Sequence, residues 1–338
     1  MKVLVCTSPG VFTYEEKPIP VLTRGQVLIQ VKRIGICGTD LHAFKGSQPY
    51  FNYPRILGHE IAGIVIDHNG SALYNNEDRV SVIPYFNCGD CIACKNQKEN
   101  CCVAMQVFGV HIDGGMCEYI AVPEDKLVKA PGLSLDALAM IEPFSIGAHG
   151  MKRAGIKDGE NVLIMGAGVI GLGAMEFAKM DGANLIVLEM DPHRIDFVKT
   201  DLKIKNTIDP LKDNVLEQLQ LMTNNEMPTI VVDATGNQKA INNGLQWLAH
   251  GGKYILIGLQ KEELIFSHPE FHKRETTLMS SRNANRIDFE KVIEQINIGK
   301  IQPEKYISHS IKFNDLKNAF PSFYAPRANS IKIMVEFD

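Results

Sequence analysis

Apolar and polar positions alternate over residues 3–16 and again over 26–34, with Pro18, Pro20 and Gly25 between the two runs. A period of two, punctuated by turn formers, predicts short half-buried strands joined by turns. Residues 61–66 and 79–83 continue the pattern around an exposed turn at 75–78. Between the first strands and these, Gly35-Ile36-Cys37-Gly38-Thr39-Asp40 sets Cys37 among glycines and reads as a site-bearing loop. After residues 123–131 the period changes. Residues 135–153 carry apolar side chains at helical spacing around Glu142-Pro143, which predicts a helix boundary near that proline. From Asn161 onward, short apolar runs at 161–165, 185–188, 205–208, 229–234, 254–258 and 276–280 are separated by helical patterns such as 169–180 and 239–249. Strands alternating with helices predict a doubly wound parallel sheet. Helices around 289–298 and 315–320 and a strand at 331–337 complete the chain, which has no internal repeat or low-complexity tract.

A chain of 338 residues suits two domains. Apolar content of 45%, charged content of 22% and a net charge of −4 are those of a globular protein without the basic footprint nucleic acid requires. No stretch approaches the length of a bilayer span, and residues 3–6 are too short for a secretory core, so neither membrane nor export is expected and the cytoplasm is the expected compartment. Eight cysteines in such a chain point to metal or catalysis before disulfides.

Five of the eight fall between Cys88 and Cys102. Cys88, Cys91, Cys94 and Cys102, spaced C-x₂-C-x₂-C-x₇-C, supply four thiolates that close a tetrahedral shell, the signature of a structural zinc; Cys101 competes for the fourth place. A second donor set is Cys37, Gly58-His59-Glu60 and Glu142. A thiolate, an imidazole and carboxylates form a mixed set of the kind that leaves a zinc position open to water or substrate. Glu142, set among Ala139, Met140, Ile141, Phe144 and Ile146, needs a partner if buried. Gly166-Ala167-Gly168-Val169-Ile170-Gly171 follows a strand, opens a helix and precedes Glu189 by about 20 residues, the context of the dinucleotide fingerprint. In that reading Gly166 permits the turn, Gly168 lets backbone approach the pyrophosphate, Gly171 packs the helix on the sheet, and Glu189 accepts from the ribose hydroxyls and disfavours NADP against NAD. Arg194 stands close by in sequence.

These three motifs, in this order, resemble the medium-chain zinc-dependent alcohol and polyol dehydrogenases over essentially the whole chain. Residues 46–60, 233–238, 269–273 and 281–284 are similar to that family's bacterial sugar-acid branch. The resemblance implies a GroES-like β-rich catalytic domain at 1–144 with a structural zinc lobe at about 86–103, a Rossmann domain at 145–284, and a return to the catalytic domain at 285–338, with the site in a cleft between them. It implies two zinc ions per chain, NAD, a small-molecule substrate and a homo-oligomer, dimer or tetramer. Cys37 and His59 would bind zinc, with Glu60 or Glu142 completing the set. Thr39 would take the substrate proton and His42 pass it to solvent. Ile170 would back the nicotinamide, Ile257 and Leu259 would meet its carboxamide, and Lys332 would reach the pyrophosphate. A plain core role for Ile170 and a solvated Lys332 are the alternatives. The implied reaction is hydride transfer from a secondary alcohol of a sugar acid such as L-galactonate, with Arg282 as favoured partner of the substrate carboxylate and His111, Lys45 and Lys273 behind it. L-gulonate, sorbitol-type polyols and L-threonine are the alternative substrates. A zinc-stabilised binding protein without activity and a zinc hydrolase or lyase are the rival classes; the latter would have no use for a dinucleotide fingerprint.

Overall fold

The computed structural model describes residues 1–48, 51–324 and 330–338; Pro49 and Tyr50, within the stretch resembling the sugar-acid branch, lie outside it. The chain divides into two compact units, Met1–Glu142 with Asn285–Asp338, and Pro143–Ala284.

In the first unit the alternation of the opening residues becomes antiparallel sheet. Lys2–Ser8 lies between Val11–Glu16 and Arg55–Ile56 in a three-stranded sheet. A seven-stranded sheet runs in the order Leu127–Lys129, Arg79–Val82, Glu60–Asp67, Gln26–Ile36, Lys332–Glu336, Ile307–Lys312, with Tyr119–Pro123 also paired to Gln26–Ile36. The register at its centre positions the chemistry. Gly35 sits opposite Glu60 on one side and Met334 on the other, and Ile36 opposite Ile333. Lys332 therefore begins its strand beside the point where Gln26–Ile36 ends at Cys37. A Cβ on Gly35 would lie 1.9 Å from Glu60 Oε2, so only glycine leaves that carboxylate its place in the sheet. Phe12, Phe44 and Phe320 cluster in this unit's core, Phe12 stacked on Phe44 and edge-on to Phe320 with centroids 4.8 Å apart in each pair.

The second unit is a six-stranded, all-parallel sheet ordered Thr207–Ile208, Asn184–Leu188, Asn161–Met165, Ile230–Asp233, Lys253–Leu256, Thr277–Ser280. Numbered along the chain this is 3-2-1-4-5-6, the doubly wound order whose switch point lies beside the first strand. The expected helix boundary near Pro143 falls at Met140, between the helices Leu135–Ala139 and Ile141–Ala154. Pro143 thus occupies the first turn of the second helix, where its missing N–H costs no hydrogen bond. No helix among the described residues is long and apolar enough to cross a membrane.

Candidate metal centres and dinucleotide turn

Cys37 is the single connecting residue between the strand Gln26–Ile36 and the helix Gly38–Lys45, whose N-terminus it caps. The sequence pattern missed this helix because its flanking glycines read as a turn. Asp40, on the helix's first turn and fully buried, accepts from the Cys37 backbone N–H at 2.9 Å and from the Gly58 N–H at 3.0 Å. One carboxylate thus fixes both segments that bring donors to the centre. Burial pushes the Asp40 carboxyl above its ordinary value, while His59 and these two N–H groups pull it back. His59 Nδ1 faces Asp40 Oδ1 at 3.9 Å and has no hydrogen-bond partner among the described residues. Burial alone would lower the His59 pKa, but the Cys37 thiol and the Asp40 carboxylate hold it well above its ordinary value.

Donor atoms of Cys37, His59 and Glu60 lie within 4.8 Å of one another. Glu142 stands outside this trio, and its Oε1 accepts from the Tyr85 hydroxyl. Burial pushes its carboxyl up to about 7, against the pull of His59. Three buried carboxyls, a thiol and an imidazole with one lysine, on Glu60, among them are an arrangement that calls for a further cation. With its orphaned imidazole nitrogen the set fits a zinc ion.

That lysine is Lys332, which the resemblance expects at a pyrophosphate and which here is paired with Glu60. It is 1% exposed, and its Nζ lies 2.6 Å from both Glu60 oxygens and 3.0 Å from Ile36 O. An ammonium has three N–H donors, and these contacts account for all of them. Thr39 is half-buried in the helix's first turn. His42, three residues on, is exposed with its Nδ1 2.9 Å from Ser47 Oγ. His111 is half-buried, its Nδ1 accepting the Val107 N–H at 3.1 Å, so that nitrogen closes a loop. Lys45 ends the helix Gly38–Lys45, exposed, and Lys273 lies 3.8 Å from Glu270.

The second cysteine set is compact as well. The sulfurs of Cys88, Cys91, Cys94 and Cys102 lie within 4.8 Å of one another. Cys91 and Cys94 are 3.5 Å apart, as are Cys88 and Cys102, and the Cys88 N–H points at the Cys102 sulfur at 3.2 Å. All eight cysteines are free. Cys101 is exposed and outside the group, which leaves Cys102 as the fourth donor. Four converging sulfurs with a backbone donor fit a closed zinc shell.

In the second unit Gly166 has φ +92°, and a Cβ on Gly171 would lie 1.9 Å from Gly166 O. Both glycines are therefore required by the turn from Asn161–Met165 into the helix Val169–Met180. Gly168 caps that helix, and among the described residues beyond its chain neighbours a Cβ placed there would meet Arg194 Nη1 at 3.9 Å. The helix N-terminus with room before it and a cation beside it is built for phosphate. Glu189 is buried at the end of the second strand, with one oxygen accepting the Ala167 N–H at 2.6 Å and the other the Met190 and Asp191 N–H groups at 2.7 and 2.9 Å. Much of its hydrogen-bonding capacity is thus spent on the turn itself. Ile170 is half-buried; the Ile257 N–H is taken by Asp233 O at 2.9 Å, so a ligand could meet only its carbonyl. Leu259 is exposed. Arg282 is exposed just beyond Thr277–Ser280.

Residues 23–132 match the family model described as an alcohol dehydrogenase GroES-like domain, and residues 169–297 the one described as a zinc-binding dehydrogenase. The chain is 43% identical over 338 residues to L-galactonate-5-dehydrogenase of Escherichia coli K12, covering 100% of this chain and 99% of that protein. It is 30% identical over 345 residues to a sorbitol dehydrogenase of Bacillus subtilis 168, covering 99% and 97%. The crystal structure of the RspB alcohol dehydrogenase of Escherichia coli CFT073 in complex with NADH superposes with a TM-score of 0.92 at 29% identity, covering 100% and 99%. A GroES-like unit, a Rossmann unit and the two donor sets are thus joined in one chain that belongs to the zinc-dependent medium-chain alcohol dehydrogenase family.

Proposed function

We propose that this chain oxidises a secondary alcohol of an open-chain sugar acid, an aldonate such as L-galactonate, to a keto acid with NAD as hydride acceptor. The observation that carries the reading is the convergence of half-buried Cys37 with buried His59 and Glu60, in a chain similar along its whole length to a galactonate dehydrogenase. Cys37, His59 and one of the carboxylates Glu60 and Glu142 would hold the zinc, and the turn from Gly166 to Gly171 the dinucleotide. When bound, zinc supplies Lewis acidity to the alcohol oxygen and NAD accepts the hydride. The chain's own part is to remove the proton. The Thr39 hydroxyl would receive it and His42, one helical turn on and exposed, would release it to water. Glu189 would hold fixed negative charge where a 2′-phosphate would sit, favouring NAD, and Arg194 beside Gly168 would face the pyrophosphate. Arg282 is our candidate cation for the substrate carboxylate, since charge-assisted pairing is strongest with a guanidinium. We place the enzyme in the cytoplasm as a dimer or tetramer, which sedimentation would check.

A polyol dehydrogenase is the second reading, favoured by the similarity to a sorbitol dehydrogenase. NADH formation with L-galactonate, L-gulonate, sorbitol and L-threonine separates the two. The aldonates are expected to give the higher kcat/KM, and Arg282→Ala to cost roughly 10- to 100-fold toward the acid, the worth of one charge-assisted hydrogen bond, with little loss toward sorbitol. Equal activity on acid and polyol, lost alike in the variant, would overturn the carboxylate reading, and no NADH with any alcohol would overturn the enzyme.

A further inference from the structure

Nothing in the sequence pattern marks Tyr85, yet it joins the two donor sets. The strand Tyr85–Phe86 pairs antiparallel with Gln106–Val107, Tyr85 opposite Val107. These strands are the neck of the segment that carries all four clustered cysteines. That lobe has little apolar interior of its own: Ile92 is 71% exposed and Val103 79%. Its shape must therefore come from four thiolates closing on a metal. On the other side of the neck the Tyr85 ring is 5% exposed, packs edge-on against Phe289 with centroids 6.4 Å apart, and donates its hydroxyl to Glu142 Oε1.

We propose that Tyr85 is a positioning residue that carries the fixed shape of the cysteine lobe to Glu142 and holds that carboxylate in one orientation beside Cys37 and His59. The inference rests on reading that trio as the catalytic zinc site. A buried carboxylate that loses a donor is held less firmly and is drawn toward a nearby cation. Without the phenol hydroxyl, Glu142 would compete with the substrate oxygen for the open position on the metal.

The test is Tyr85→Phe, which removes one oxygen and leaves the ring against Phe289. The variant is expected to fold, keep its zinc content and its KM for NAD, and raise KM for the alcohol about tenfold, the worth of one hydrogen bond to a charged group. With cobalt(II) in the catalytic site, its visible absorption is expected to shift toward a higher coordination number, which a merely structural tyrosine would not cause. Cys94→Ser, which opens the lobe, should shift the cobalt spectrum in the Tyr85 background and add nothing in Tyr85→Phe. If Cys94→Ser does not fold, Tyr85→Phe decides alone. A cobalt spectrum and alcohol KM unchanged from wild type would overturn the proposal, and additive shifts in the double variant would overturn its link to the lobe. A wild type that binds cobalt yet oxidises no alcohol would fail the functional reading, while the spectra would still test Tyr85.

Discussion

Replacing Lys332 by methionine separates two tasks for one lysine. The side chain is buried with Glu60 on both of its oxygens. A methionine fills the same space but leaves a buried carboxylate without its counter-charge. Breaking a buried pair from one side costs about 3–5 kcal/mol. At about 2–4 °C per kcal/mol for a unit of this size, zinc-free protein should melt on the order of 10 °C lower. Zinc offers Glu60 another positive partner, so the deficit should shrink by more than half in zinc-loaded protein, and zinc affinity should rise in the variant by linkage. Calorimetric melts of both proteins, with and without zinc, read this directly. The KM for NAD should stay within about twofold of wild type, because a lysine spent on Glu60 has no donor left for a phosphate. An unchanged melting temperature together with a tenfold rise in the KM for NAD would refute the reasoning and return Lys332 to the cofactor.

Elemental analysis should give two zinc ions per chain, and a chelator should abolish activity before it unfolds the protein, because the open site exchanges its metal more readily than four thiolates do. Gly35→Ala puts a methyl 1.9 Å from Glu60 Oε2; it should displace that carboxylate and destabilise the protein by about 1–3 kcal/mol, as overpacking does, measured by denaturant melts. In zinc-free protein, burial lifts Glu142 to about 7 from an ordinary 4.5, so the folded state keeps a proton that the unfolded chain has released. Stability should therefore fall by about 3 kcal/mol as pH rises from the unfolded value to about 7, and level off above it; Glu142→Gln should remove that slope in urea titrations taken across the range.

What the sequence made legible is what repeats or is spaced locally. The period-two runs, the strand and helix around Gly166 and the cysteine spacing each depend on neighbours within a few residues. Strands 161–165, 185–188 and 276–280 therefore lie within a residue of Asn161–Met165, Asn184–Leu188 and Thr277–Ser280. The helix Pro192–Thr200 did not stand out, since most of its residues are only half-buried or exposed and leave a weak apolar stripe; the helix Val215–Met222 spans only eight residues. The helix Gly38–Lys45 is short and opens on a glycine, and its start signal is Asp40 at the third position after a cysteine cap, where a serine or threonine would have been recognised.

The pairs that shape the catalytic centre are remote in sequence. Glu60 and Lys332 are 272 positions apart, Tyr85 and Glu142 57. A sequence identifies Glu60, Glu142, Asp40 and Glu189 equally as carboxylates in promising places. The fold distinguishes them by what each has already spent. Asp40 holds two backbone N–H groups, Glu189 three, Glu60 an ammonium with both oxygens, and Glu142 a phenol with one. Glu60 meets a full opposite charge with both oxygens, whereas the phenol on Glu142 is neutral, so Glu60 is the more tightly held by its partner, although it is adjacent to His59 in sequence. Proximity along the chain supplies a candidate ligand; whether it is available to a metal depends on donors brought by other strands.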